Sequence, residues 1–229
     1  MQQSAAQDLL KRLQNGLIVS CQAPSGSPLR GRGLMSAMAE AAAAGGACAI
    51  RAEGLDDVRS IKAAVDLPVI GLIKTIDEKT PVIITPLIQN VKDLIEAGAD
   101  MVAVDATLRK RVDGLTGPEF VASVRQLGIP ILADIDDLNS AIAAEAAGAD
   151  AISTTLSGYT GGAIPEEPDL DLISQCVKAT KIPVVAEGRF TTPKEVAQAF
   201  KSGAWSVCVG GAITDPWKST IRFVQNMHK

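Results

Sequence analysis

One lysine and one glutamate stand where apolar runs end, in positions suited to acid–base chemistry. Lys74 follows Val69-Ile70-Gly71-Leu72-Ile73 directly, and Glu187 closes Val184-Val185-Ala186 just ahead of Gly188 and Arg189. A lysine at the rim of apolar surface loses hydration, which disfavours its ammonium and brings the amine toward the range of a general base. The other reading is a lysine that only supplies charge or snorkels to water. Glu187 has Arg51 and Arg189 as available cations, so it reads as an acid–base group or as half of an ion pair. Gly210 and Gly211 leave the last apolar run, and a short helix is expected near Ala212. Backbone N–H groups exposed there make an anion site, unless the glycines mark only a tight turn. The single histidine, His228, is the penultimate residue. Histidine triads and histidine-based metal sites are therefore not expected. The four cysteines (Cys21, Cys48, Cys176 and Cys208) lie far apart with no metal-ligand spacing and read as free thiols, three of them in apolar runs. The expected chemistry uses Lys, Arg, Asp, Glu and backbone, with no metal.

The rest of the composition narrows the setting. The chain has 229 residues, 47% of them hydrophobic, and a formal net charge of −4. That apolar fraction excludes a disordered chain, and the acidic balance argues against a nucleic-acid-binding face. No apolar run approaches the length of a membrane span, and the first 15 residues read as an amphipathic helix rather than a leader. A cytoplasmic protein with neither a nucleic-acid nor a membrane partner is expected.

The elements that must position these residues repeat. Strand-like apolar runs fall at 17–21, 47–51, 69–73, 101–105, 129–133, 149–154, 183–186 and 205–209. Helical patterns fill the intervals at 35–44, 56–65, 90–97, 118–126, 138–147, 169–179 and 193–201. The strands are continuous rather than alternating, as suits a sheet covered on both faces. Ala44-Gly45-Gly46-Ala47, Ala97-Gly98-Ala99-Asp100, Ala147-Gly148-Ala149-Asp150 and Ser202-Gly203-Ala204-Trp205 echo one another. Their period of about 50 residues is two βα units. Eight such units without a composition break predict one domain, a (β/α)8 TIM barrel with residues 1–15 as an added helix; a doubly wound open sheet with fewer parallel strands is the alternative. Gly210-Gly211 after the last strand makes the barrel the phosphate-binding type. In that fold, chemistry sits at the carboxyl ends of the strands, where Gln22, Arg51, Lys74, Asp105, Asp134 and Glu187 all fall.

The motifs then resemble one family. Gly16-Leu17-Ile18-Val19-Ser20-Cys21-Gln22, Ile50-Arg51-Ala52-Glu53-Gly54, Gly71-Leu72-Ile73-Lys74, Ile84-Thr85-Pro86 and Ala103-Val104-Asp105-Ala106-Thr107 are followed by Leu132-Ala133-Asp134-Ile135. Thr154-Thr155-Leu156-Ser157-Gly158-Tyr159-Thr160, Pro165-Glu166-Glu167-Pro168-Asp169-Leu170 and Ala186-Glu187-Gly188-Arg189 complete the order. Together, from about residue 14 onward, they resemble the N-acetylmannosamine-6-phosphate 2-epimerases of bacterial sialic acid breakdown. The resemblance implies cofactor-independent interconversion of N-acetylmannosamine 6-phosphate and N-acetylglucosamine 6-phosphate, a small-molecule sugar phosphate as ligand. It implies Lys74 and Glu187 as the catalytic pair, and Gln22, Arg51 and Asp134 as substrate contacts. It places Gly188, Arg189, Gly210 and Gly211 at the phosphate. One departure is Asp215, where the family often carries arginine; an acid beside a phosphate is unfavourable unless it points away. The competing reading is a class I aldolase or lyase with Lys74 as Schiff-base nucleophile. A non-catalytic sugar-phosphate sensor is a third. A homodimer is possible, with the alanine-rich 35–44 helix packing either on a partner or on its own sheet.

Overall fold

The computed structural model describes residues 2–31, 33–75 and 81–227; His228 lies outside the described residues. Eight parallel strands close in sequence order, with the last pairing back to the first. They are β1 (Leu17–Cys21), β2 (Ala49–Glu53), β3 (Val69–Leu72), β4 (Met101–Asp105), β5 (Ile131–Asp134), β6 (Ala151–Ser153), β7 (Val184–Glu187) and β8 (Ser206–Val209). Helix α1 (Gln2–Leu13) precedes the barrel, and α2 (Leu34–Ala44), α3 (Leu55–Ala64), α4 (Ile88–Glu96) and α5 (Gly117–Arg125) follow strands β1 to β4. Then come α6 (Leu138–Ala146), α7 (Leu170–Ala179), α8 (Pro193–Lys201), the single-turn α9 (Gly211–Thr214) and α10 (Pro216–Asn226). This is the (β/α)8 barrel.

The strands read as unbroken apolar runs because each face meets a different core. Ile18, Ile70, Met101, Leu132 and Val185 fill the inside of the barrel. Their strand neighbours, such as Ile50, Val102, Val104 and Ile131, pack outward under the helices. Helix α1 closes the amino end: Leu13 is fully buried in the inner cluster, and the Trp205 indole N–H donates to the Leu10 carbonyl at 2.8 Å. The helix expected over residues 1–15 thus acts as a plug.

The repeated Gly-Ala-Asp turn has a physical reason. Asp100 accepts the Val69 N–H at 2.8 Å and pairs with Lys62, while Asp150 accepts the Ile131 N–H at 2.9 Å and pairs with Arg125. Each aspartate caps the start of the preceding strand and ties it to a helix. Two differences from the sequence reading stand out. The second strand begins at Ala49 rather than at 47, because the Ala47 N–H turns back to the Ala42 carbonyl at 3.0 Å as α2 ends. Helix α10 went unforeseen, and none of its residues is buried. Helix α2 packs Met35 and Ala39 into its own barrel's core.

Candidate active site

Side chains alternate along a strand, so a strand that points one residue into the barrel also points residues two and four positions on. Ile18 is followed on that parity by Ser20 and Gln22, Ala49 by Arg51, and Leu72 by Lys74. Leu132 is followed by Asp134, Ala151 by Ser153, and Val185 by Glu187. The inner core is therefore apolar for most of its height and turns polar in one step at the carboxyl end. Gln22, Arg51, Lys74, Asp134 and Glu187 share that mouth.

Arg51 is the centre of the cluster. Its guanidinium forks onto Asp134, with Nη1 to Oδ1 at 2.9 Å and Nη2 to Oδ2 at 2.6 Å, and Nη1 also reaches Glu187 Oε2 at 2.7 Å. Arg51 and Asp134 are buried, and the Glu187 side chain is 14% exposed. Burial by itself disfavours the arginine's charge, but Asp134 and Glu187 outweigh it and hold the guanidinium protonated above its ordinary range. Hydroxyls complete the arrangement: Thr155 donates to Asp134 at 2.7 Å, and Ser153 donates to Glu187 at 3.3 Å. The Glu187 N–H donates to Thr154 Oγ1 at 3.0 Å, and that hydroxyl donates back to the Glu187 carbonyl at 2.9 Å. Burial pushes the Glu187 carboxyl above the usual carboxylate range, against the pull of Arg51 and with a further push from Asp134. One guanidinium faces two carboxyls, and the shift of Glu187 favours its protonated form.

Lys74 lies one residue beyond the Ile73 that follows β3. Its Nζ donates to Gln22 Oε1 at 2.6 Å, and Gln22 in turn donates to Ser20 Oγ at 2.8 Å. The lysine is exposed as a residue, since the mouth is open. The surrounding protein still strips water from the amine, and this loss, then repulsion from Arg51, lowers its pKa below 10.5, against the pull of Glu187. Lys74 and Glu187 thus shift in opposite directions, each toward its neutral form. That is the arrangement in which an amine accepts a proton and a carboxyl donates one.

Of the four residues expected at the phosphate, three are glycines. Gly188 has φ +113°, which an L side chain rarely adopts, and a Cβ on Gly210 would lie 3.3 Å from Ser20 Cβ. Gly211 is the first residue of α9. Arg189 turns away from the cluster expected around Glu187. Its Nε donates to the Glu167 carbonyl at 2.7 Å, its Nη1 donates to the Ser157 carbonyl, and its guanidinium lies 5.5 Å from the Tyr159 ring centre. Of the two cations read beside Glu187, Arg51 is the partner and Arg189 holds the 154–169 loop. Asp215 is buried and caps α10, accepting the Lys218 N–H at 3.1 Å and pairing with the Lys218 ammonium at 3.8 Å.

Ser153 was not singled out from sequence, and Thr155 was read only as part of the Thr154-Thr155 strand end, without a role. Their signal was the inward parity of β6, which reaches both from Ala151. Among the described residues no group of three or more His, Cys, Asp or Glu is placed to hold a metal ion. No helix among them is long and apolar enough to cross a membrane.

The family described as "Putative N-acetylmannosamine-6-phosphate epimerase" matches residues 35–229. A Caldanaerobacter subterraneus protein described as "Putative N-acetylmannosamine-6-phosphate 2-epimerase" is 47% identical over 220 residues, covering 95% of this chain and 93% of its own. A Clostridium perfringens protein of the same description is 44% identical over 216 residues, covering 94% of this chain and 98% of its own. The solved structure of the N-acetylmannosamine-6-phosphate 2-epimerase from Clostridium perfringens superposes with a TM-score of 0.91 at 43% identity, covering 95% of each chain. With fold, order of motifs and extent of match in agreement, this chain belongs to the N-acetylmannosamine-6-phosphate epimerase family.

Proposed function

We propose that this protein interconverts N-acetylmannosamine 6-phosphate and N-acetylglucosamine 6-phosphate by moving the proton at C2, without a metal or organic cofactor. The observation that carries the reading is the gathering of Lys74, Glu187, Arg51 and Asp134 in one open mouth, with Lys74 and Glu187 each shifted toward the neutral form. Inversion at C2 needs the ring open, so that the proton lies next to the C1 aldehyde. Neutral Lys74 takes that proton, and the electron pair moves onto the carbonyl oxygen as an enolate. Return of a proton to the opposite face completes the inversion. Glu187, inclined to hold a proton, assists ring opening or proton return. Arg51 supplies a permanent positive charge to the enolate side of the site. Gln22 holds one N–H of Lys74 at 2.6 Å, which orients the amine while leaving its lone pair for the substrate. The sugar's phosphate is assigned to the backbone at Gly188, Arg189, Gly210 and Gly211, the usual anion position of this barrel. Arg189 contributes there through its main chain and through the loop that its side chain holds. Asp215 beside Gly211 is occupied as the cap of α10, accepting the Lys218 N–H and pairing with the Lys218 ammonium.

The test is incubation with N-acetylmannosamine 6-phosphate in deuterated water, with C2 followed by NMR. The expected result is the N-acetylglucosamine product carrying deuterium at C2, at a rate unchanged by a strong chelator. Product that retains its original C2 hydrogen would overturn the proton-transfer route. The lowered pKa of Lys74 also suits a Schiff-base nucleophile. Borohydride added during turnover separates the two: the epimerase stays unlabelled, whereas an aldolase is trapped at Lys74.

A further inference from the structure

We propose that Thr85 is the positioning residue for Lys74, a wedge that parts β3 from β4 and fixes the backbone from which the amine projects. The proposal rests on the reading of Lys74 as the base.

The β3–β4 ladder stops at Gly71 opposite Val102, although β4 continues to Asp105. Above that point the chain returning at 83–85 fills the gap. Lys74 and Ile84 form an antiparallel bridge, and the Thr75 N–H donates to the Ile83 carbonyl at 3.0 Å. On the other side the Asp105 N–H donates to the Ile84 carbonyl at 3.1 Å. Thr85 is the pivot. Its N–H donates to the Ile73 carbonyl at 2.7 Å, and its hydroxyl accepts the Ile73 N–H at 3.3 Å. The same hydroxyl donates to the Ala103 carbonyl on β4 at 2.7 Å. Both polar backbone groups of the residue before Lys74 are thus held by Thr85.

The choice of residue is informative. Thr85 is fully buried and has φ 46°, in the left-handed region that a β-branched residue avoids. Glycine or asparagine would adopt that conformation with less strain. A hydroxyl, however, both donates and accepts. It satisfies Ala103 and Ile73 at once, and an apolar side chain of the same shape would leave both groups buried without these partners. A strained backbone kept for the sake of one hydroxyl, one residue from the candidate base, marks a place where geometry matters more than local preference.

The experiment compares full-length wild type, Thr85→Ser, Thr85→Val, Thr85→Gly and Lys74→Ala. Thermal midpoint, kcat, KM and the pH dependence of kcat are measured for each with N-acetylmannosamine 6-phosphate. Loss of the hydroxyl is expected to lower kcat about 10- to 100-fold through misplacement of the amine. KM should stay within about twofold, since the contacts that bind substrate without reacting are untouched. The ascending limb of the kcat profile, which reports deprotonation of Lys74, should move to higher pH as the amine drifts toward water and away from Arg51. Thr85→Ser should keep both the rate and the limb. Should Thr85→Val not fold, Thr85→Gly, free to adopt φ 46°, carries the same expectation. A folded variant lacking the hydroxyl but retaining wild-type kcat and an unmoved limb overturns the proposal. So does a loss that only follows the folded fraction, or failure of both variants to fold, because each makes Thr85 a stability residue. If Lys74→Ala still exchanges the C2 proton with solvent, the reading of Lys74 as base fails. If Lys74→Ala is inactive while Thr85→Gly behaves as wild type, only the wedge fails.

Discussion

Two arginine–aspartate pairs of the same 2.6 Å length sit at the mouth of this barrel, Arg51 with Asp134 and Arg109 with Asp105. The first joins β2 to β5 and, through Glu187, to β7. The second lies within one loop: Asp105 ends β4 and also accepts the Thr107 N–H and hydroxyl, at 3.1 and 2.7 Å. From there Arg109 reaches out to the Pro81 carbonyl at 2.8 Å, and Arg111 holds the Asp105 and Pro86 carbonyls. The long-range pair gathers charge from three strands at the open end of the barrel. The local pair latches the segment that returns from Lys74. The chemistry of the two pairs is alike; what each connects decides its role.

The largest expected effect comes from breaking the first pair. Arg51→Met leaves the buried Asp134 and its neighbour Glu187 without their arginine, which costs about 3–5 kcal/mol. For a chain of this size, that is a fall in thermal midpoint of very roughly 6–20 °C at about 2–4 °C per kcal/mol. C2 exchange should fall to background. The triple variant Arg51→Met, Asp134→Leu, Glu187→Leu should recover most of the lost stability while remaining inactive, since replacing a whole buried ion cluster by apolar groups is often neutral. Recovery of activity in the triple variant, or a single Arg51→Met as stable as wild type, would mean that the cluster is not the charged centre described above.

The second pair should matter less. Arg109 is partly exposed and Asp105 keeps its two donors from Thr107, so Arg109→Met should cost about 1.5–3 kcal/mol, the range of a hydrogen bond to a charged group. Because the latch acts on the Lys74 segment and not on substrate, kcat should fall by at most about tenfold with KM unchanged. A large rise in KM from Arg109→Met would place this arginine in the binding site and erase the contrast between the pairs.

The contrast also explains what the sequence could reveal. The barrel was legible because its signals are local and repeated: apolar runs, helix-ending glycines, and the Asp100 and Asp150 turns that cap neighbouring strands. Lys74, Arg51, Asp134 and Glu187 were legible because each is a charged residue standing where an apolar strand run ends. Pairing was not. Nothing local distinguishes Arg51 from Arg189 as the partner of Glu187; the choice is made by which strand faces across the barrel. Helix α10 had local signals in the Asp215 cap and Pro216, but no side chain of it enters the core, so the apolar pattern lacks the burial that usually gives it meaning. Thr85 was hidden for the opposite reason. Its role depends on a left-handed backbone that no composition rule assigns to threonine.

The smallest effects concern the same type of group in opposite surroundings, and they set the mouth against the helix ends. Glu187 is half-buried in the mouth and its pKa lies above 4.5, whereas Glu119 and Glu195, in the capping boxes of α5 and α8, lie below it. Glu119 is lowered by the Thr116 N–H and hydroxyl that donate to it; for Glu195 partial burial pushes the other way, but the Thr191 and Thr192 donors prevail. A carboxyl with a raised folded pKa binds its proton better in the native state than in the unfolded chain. Its contribution to stability is full below about pH 4.5 and is lost as pH rises through the folded value. A carboxyl with a lowered folded pKa does the reverse, contributing above 4.5 and losing that contribution as pH falls through its folded value. Thermal midpoints should therefore separate two windows. Glu187→Gln should flatten the change in stability above pH 4.5 and leave the acid side alone. Glu119→Gln and Glu195→Gln should each flatten part of the fall below pH 4.5 and leave the neutral side alone, by a modest amount, since both caps are close to water. If Glu187→Gln instead altered the acid limb, its carboxyl would be an ordinary ion-pair partner of Arg51, ionised throughout, with no proton to lend to a sugar ring.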